Sequence, residues 1–166
     1  MYKTILLHQI SCMPKVLFVC LGNICRSPMA EVMLREKVTK NNLNWHIDSA
    51  GLMGFLEGMA PDPRGQEVMK KNGFDISQLR SRKVVADDLN HFDWIIAMDG
   101  GNFKDLLDLS TPENRHKIIQ FTHLETGETI HIPDPVLEEA IAFERTYHLL
   151  DECLDFWLKK NGVLTV

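Results

Sequence analysis

The sequence predicts an α/β fold, a three-layer sandwich in which a four-stranded parallel sheet is flanked by helices. Two observations predict it. Apolar runs of strand length alternate with segments whose apolar residues recur at helical spacing, the pattern of a parallel sheet covered on both faces. The 166 residues are 45% apolar and 25% charged, the composition of one globular domain long enough to bury a core without disulfide staples.

Each element has its own signal. Residues 15–19, Lys-Val-Leu-Phe-Val, suit a buried parallel strand. Ser27 and Pro28 supply an N-cap and a first-turn proline for the helix that follows, with Ala30, Met33, Leu34 and Val38 on its inner face. Residues 45–50 read as a second strand ending at Gly51, and residues 52–60 as a loop without periodicity. Asp62-Pro63 opens a helix through Lys71, stopped by Asn72-Gly73. Residues 93–98 form a third strand, 101–109 a helix and 117–121 a fourth strand, with a hairpin-like excursion around 125–128. A final helix spans 138–160, its inward stripe being Ala140, Phe143, Tyr147, Leu150, Leu154 and Trp157.

Charge and cysteine usage narrow the function classes. A net charge of -5 gives no bulk attraction for nucleic acid or an anionic membrane. An anionic ligand must be drawn locally, with Arg80, Arg82 and Lys83 as candidate contributors. No stretch approaches the roughly 20 apolar residues that span a bilayer. The four cysteines, Cys12, Cys20, Cys25 and Cys153, lack the spacing of a disulfide framework and fit a reducing, cytoplasmic setting. Met13-Pro14 reads as a natural start, so residues 1–12 are expected as an extension outside a single domain of residues 13–166. The seven histidines are scattered without metal-ligand spacing, so no metal or other cofactor is expected.

The chemistry concentrates in Cys20-Leu21-Gly22-Asn23-Ile24-Cys25-Arg26-Ser27, between the first strand and its helix. A curled loop of inward-pointing N–H groups at a helix start is an anion cradle. Arg26 can grip two oxygens of a phosphate with its planar fork. The same positive field favours the thiolate of Cys20, the nucleophilic form. The expected loop after strand 1 is therefore a phosphate loop. Cys20, Ser49 and Asp99 all fall at carboxyl ends of strands, where ligands of open parallel sheets sit.

With those residues in hand, the chain resembles the low-molecular-weight protein tyrosine phosphatases over about residues 15–160. The match rests on Cys20 to Ser27, Asp48-Ser49-Ala50-Gly51, Pro61-Asp62-Pro63-Arg64, Ile95 to Asp99 and Pro133-Asp134-Pro135, in that order. The resemblance implies a two-step hydrolysis of phosphotyrosine, with tyrosine-phosphorylated proteins as substrates. Cys20 attacks phosphorus, Leu21, Gly22, Asn23, Ile24 and Cys25 form the loop with Arg26 as clamp, and Asp134 matches the acid position. Ser27 can donate to the Cys20 sulfur or merely cap the helix. Asn23 tolerates left-handed backbone, and by resemblance it is held by a network that includes Ser49. By resemblance again, Cys25 forms a reversible bridge with the nucleophile. Asp62 is better explained as a helix cap, and Asp99 is either a cap or a support of the site.

The chain departs from the family around the cleft. Phe55 stands where relatives carry tryptophan or tyrosine, Leu56, Met59 and Ala60 break the usual pattern, and Leu79 stands where many have histidine. Val136-Leu137 follow Asp134-Pro135 without the tandem tyrosines of mammalian relatives. Protein arginine phosphatases also resemble the chain, but typically carry threonine at the position of Ile24, whose apolar side chain favours an aryl substrate. A non-catalytic phosphate-binding module is the remaining alternative, and Asp134 counts against it. The expected oligomeric state is a monomer or weak homodimer.

Overall fold

A computed structural model describes residues 13–164; the expected extension, residues 1–12, lies outside the described residues. The elements run β1 (Lys15–Cys20), α1 (Arg26–Lys40), β2 (His46–Gly51), α2 (Pro63–Lys71), α3 (Ala86–His91), β3 (Trp94–Ala97), α4 (Gly100–Leu109), β4 (Ile118–Thr122), β5 (Thr129–Ile130) and α5 (Ala140–Lys160). The sheet order is β2-β1-β3-β4-β5. The first four strands are parallel, and Val16 is aligned with both Ile47 and Trp94.

Alternation along β1 explains the three layers. Val16, Phe18 and Cys20 face one core with Met33 and Leu34 of α1 and Leu150, Leu154 and Trp157 of α5. Leu17 and Val19 face the other, with Leu89 of α3, Phe92 and Leu106 of α4. All five residues from Val16 to Cys20 are at most 2% exposed, as a strand covered on both faces requires.

Four features differ from the sequence expectation. The excursion around 125–128 closes a hairpin, and Thr129–Ile130 adds a fifth, antiparallel strand to the four expected. Helix α3, Ala-Asp-Asp-Leu-Asn-His, was not expected because it buries one residue, Leu89, and so has no apolar period to read. Helix α1 begins at Arg26 with Cys25 at the N-cap and no side-chain cap. Ser27 is therefore inside the helix and does not cap it. Helix α5 begins at Ala140, which is exposed, and its buried face takes in Ala142, Thr146, Cys153 and Leu158 as well. That face is broad because α5 packs on both the sheet and α1 and α2.

The chain leaves β1 for β2 on one side and reaches β3 on the other, so the crevice at the carboxyl end of β1 is the topological switch point of the sheet. Among the described residues no helix is long and apolar enough to cross a membrane.

Candidate active site

Cys20 ends β1 and is 2% exposed. Its sulfur lies 3.0 Å from Ser27 Oγ and accepts the Asn23 backbone N–H at 3.2 Å. Asn23 makes that contact from a left-handed backbone, φ 55°, a conformation asparagine enters more readily than most residues. Gly51 allows the loop to approach β2, since a Cβ there would meet the Gly22 carbonyl carbon at 2.8 Å and the Asn23 nitrogen at 2.9 Å.

The polarity of the surrounding hydrogen bonds is set by its far end. The Glu31 carboxylate accepts from Ser49 Oγ at 2.6 Å and from Arg35. Ser49 therefore accepts from Asn23 Nδ2 at 2.9 Å, and the other Asn23 amide hydrogen goes to Ser27 Oγ at 2.9 Å. Ser27, having accepted, has its hydroxyl hydrogen free for the Cys20 sulfur at 3.0 Å or the more distant Ala50 carbonyl at 3.5 Å. Asn23 Oδ1 accepts the Arg82 N–H at 3.0 Å, which fixes the amide's orientation. Burial pushes the Glu31 carboxyl above its ordinary range, and Ser49 and Arg35 oppose that shift.

Arg26 is 1% exposed and held on two sides. Nη1 donates to Asp99 Oδ2 at 2.6 Å and to the Ile132 carbonyl at 3.0 Å. Nη2 donates to Asp134 Oδ2 at 2.9 Å. Nε is buried without a hydrogen-bond partner among the described residues. An orphaned buried donor is costly, and here it lies on the Nε/Nη2 edge, the edge that takes an oxyanion in the bidentate fashion.

Asp99 both caps α4, accepting the Asn102 N–H at 2.8 Å, and orients Arg26. Burial raises its carboxyl, but Asn102 and Arg26 outweigh that and hold it below the usual carboxylate range. Asp62 caps α2 through the Arg64 N–H. Asp134 caps no helix; its Oδ1 accepts the Val136 N–H at 3.2 Å in the segment before α5.

Arg64 joins three parts of the site. It pairs with Asp62 at 2.7 Å, donates to the carbonyls of Val136 at 3.0 Å and Glu138 at 2.6 Å, and lies 4.5 Å from the Phe143 ring centroid. Asp62 in turn donates its N–H to the Ile24 carbonyl at 2.7 Å. The phosphate loop, the start of α2 and the Asp134 segment are thus tied together.

The cleft, about 200 Å³, has Cys20, Gly22, Cys25 and Arg26 at its floor, with Leu21, Ile24, Met53, Phe55, Leu56, Asp134 and Val136 around it. Cys25 is buried; its burial and the charges of Asp62, Cys20 and Asp134 push its thiol well above the ordinary range. Of the predicted site residues, Cys20, Leu21, Gly22, Ile24, Cys25, Arg26, Phe55 and Asp134 line this crevice, whereas Asn23, Ser27 and Ser49 are buried beside it in the hydrogen-bond network that reaches the Cys20 sulfur. The three cations suggested as anion attractors do not line it: Arg82 is engaged by Asp48 and Asp88, Arg80 donates to the carbonyls of Ser77 and Leu79, and Lys83 lies against Gly54 in the 52–60 loop. Sequence reasoning missed Glu31, Arg35 and Arg64, which lie on helices or helix starts where a charged residue ordinarily signals only solvent.

A thiol, a buried guanidinium and a carboxyl side chain thus meet at the switch point of a parallel sheet, an arrangement suited to holding an oxyanion. The profile described as low molecular weight phosphotyrosine protein phosphatase matches residues 15–162, and the chain belongs to that family. It is 38% identical to the human low molecular weight phosphotyrosine protein phosphatase over 149 residues, 87% of this chain and 94% of that one. A protein tyrosine phosphatase from Entamoeba histolytica, crystallised with Hepes in the active site, superposes with a TM-score of 0.82 at 35% identity, covering 91% of this chain and 99% of that one. Wzb of Vibrio vulnificus, in complex with benzylphosphonate, gives a TM-score of 0.79 at 32% identity, covering 89% and 99%.

Proposed function

We propose that this phosphatase hydrolyses phosphotyrosine in proteins, and small aryl phosphates, through a phosphocysteine intermediate on Cys20. The observation that carries the reading is the state of Arg26: Nε has no partner and Nη2 holds Asp134. A phosphate that takes the Nε/Nη2 edge displaces Asp134, and the freed carboxyl group is then beside the leaving oxygen.

The thiolate of Cys20 attacks phosphorus, the bond from phosphorus to the phenolic oxygen breaks, and the Asp134 carboxyl gives that oxygen its proton. Water then attacks phosphorus and loses its proton to the Asp134 carboxylate. The phosphorus–sulfur bond breaks, leaving inorganic phosphate and the Cys20 thiolate, which Ser27 stabilises by donation. Arg26 and the loop amides carry the equatorial oxygen charge throughout.

The bound benzylphosphonate of the Vibrio vulnificus relative supports an aryl group in the equivalent cleft. Ile24 lines the cleft here and offers an aromatic ring an apolar contact while offering a guanidinium none, which favours tyrosine over arginine as the phosphorylated residue. We also place Cys25 as the reversible redox partner of Cys20. The test is hydrolysis of para-nitrophenyl phosphate by wild type, Cys20→Ser and Asp134→Asn, followed by phosphotyrosine against phosphoarginine peptides. Wild-type turnover lost in Cys20→Ser and preference for phosphotyrosine are expected; an inactive wild type under reducing conditions would overturn the reading.

A further inference from the structure

The mouth of the cleft is apolar to a degree that catalysis does not require. Leu21, Met53, Phe55, Met59 and Leu137 are all exposed, Phe55 at 76% and Leu137 at 96%. They belong to the three segments that frame the cleft: the phosphate loop, the 52–60 loop and the segment after Asp134. Leu56 and Val136 continue the same surface inward. The charged side chains lining the cleft are Arg26 and Asp134, both committed to the phosphoryl group. Nearby arginines are turned elsewhere, Arg64 to Asp62 and Arg82 to Asp48 and Asp88. Lys83 lays its methylenes beside Gly54.

What enters the cleft determines what covers this rim. Phosphorus must reach the Cys20 sulfur at the floor, the ring then occupies the space between Phe55 and Val136, and the substrate's backbone is left over the mouth. Its neighbouring side chains meet Met53, Met59 and Leu137. Resting on the phosphotyrosine reading above, we infer that the rim is a specificity surface that selects phosphotyrosine flanked by apolar residues. Burying apolar area there favours such substrates, whereas acidic flanks lose hydration over a cleft whose lining offers no cation but Arg26, which the phosphoryl group takes.

Three phosphotyrosine peptides of equal length test it, differing only in the residues on either side of phosphotyrosine: leucine, serine or aspartate. The leucine peptide is expected to exceed the serine peptide in kcat/KM by about tenfold, the equivalent of partly burying one leucine. Leu137→Gln is expected to cut that advantage by about threefold or more while leaving para-nitrophenyl phosphate hydrolysis unchanged. Equal turnover of the three peptides, or a preference for aspartate, overturns the inference and leaves the phosphatase reading intact. Failure to hydrolyse either para-nitrophenyl phosphate or any peptide strikes the phosphatase reading itself. Sedimentation velocity separates the remaining occupant: if wild type self-associates at assay concentration and Leu137→Gln both dissociates it and raises activity, the rim serves a second copy of the chain and the inference fails.

Discussion

Arg26 Nη2 and Asp134 Oδ2 are 2.9 Å apart, so the proposed clamp and the proposed acid are partners of one another. Their side chains are 2% and 32% exposed, so the pairing joins a buried cation to a carboxylate that is partly open to solvent. The same guanidinium is anchored on its other side by Asp99 at 2.6 Å. In the proposed mechanism, substrate takes the place of Asp134 at Nη2 while Asp99 and the Ile132 carbonyl keep their hold on Nη1.

Asp134→Asn removes the proton donor but keeps a side chain of the same size. Turnover of aryl phosphates with basic leaving groups should fall by roughly 10²-fold or more, and phosphocysteine should accumulate because water is no longer deprotonated. Rapid-quench measurement of the phosphoenzyme checks both. Near-normal turnover would remove Asp134 from the mechanism.

Ser27→Ala deletes the hydroxyl that donates to the Cys20 sulfur. Hydrogen bonds to charged groups contribute about 1.5–3 kcal/mol, so kcat/KM should drop by roughly 10- to 100-fold. Iodoacetate alkylation of Cys20 at mildly acidic pH should slow in parallel. Unchanged alkylation would show that Ser27 acts only in packing.

Asp99→Asn should raise KM for aryl phosphates, because Arg26 loses its anchoring carboxylate. It should also change acid stability in a definite direction. The folded carboxyl of Asp99 is held below its ordinary range, so its stabilisation is present above the unfolded value of about 3.9 and is lost as pH falls through the lower folded value. The Tm gap between wild type and Asp99→Asn is expected to close below about pH 4. A gap independent of pH would contradict the ionic role.

Arg64→Met cuts the ties from Asp62 to the Val136 and Glu138 carbonyls while retaining an apolar stem against Phe143. The Asp134 segment should become less ordered, so kcat should fall about tenfold with basic leaving groups and much less with acidic ones that need no proton. Arg64→Lys should recover only part of it, since one ammonium cannot reproduce the fork. An equal loss across all leaving groups would indicate a general folding defect.

Peroxide should inactivate wild type reversibly. Oxidation of the Cys20 thiolate by peroxide gives the sulfenic acid, and attack by Cys25 sulfur releases water and closes the disulfide. Thiols then restore activity. Cys25→Ser should lose activity irreversibly under the same treatment, and recovery equal to wild type would exclude the protective bridge.

The order of apolar runs and the turn from Cys20 to Ser27 were legible because each is a local signal. A doubly buried strand such as residues 15–19 must be apolar throughout, and an anion-binding turn must carry its residues in sequence. The positions of Cys20, Arg26 and Asp134 followed from motif chemistry together with the resemblance. Local signals also misled: Ser27 before Pro28 looks like a cap, yet tertiary packing turns its hydroxyl to the Cys20 sulfur and Ala50 carbonyl. The turn around 125–128 was legible, but the strand Thr129–Ile130 that it leads to and the helix Ala86–His91 were hidden because each is short and buries too little to imprint a period.

The sequence by itself determined the βα alternation and the family pattern, and it placed the proposed nucleophile and clamp in one turn. Only the tertiary structure decided which distant charges serve them. Glu31 and Ser49 orient Asn23, Asp99 and Ile132 grip Arg26, and Arg64 ties the Asp134 segment to the phosphate loop. Those roles arise from contacts between residues up to 108 positions apart, as in the pairing of Arg26 with Asp134. No local periodicity encodes such contacts; the packing of the open sheet and its helices creates them.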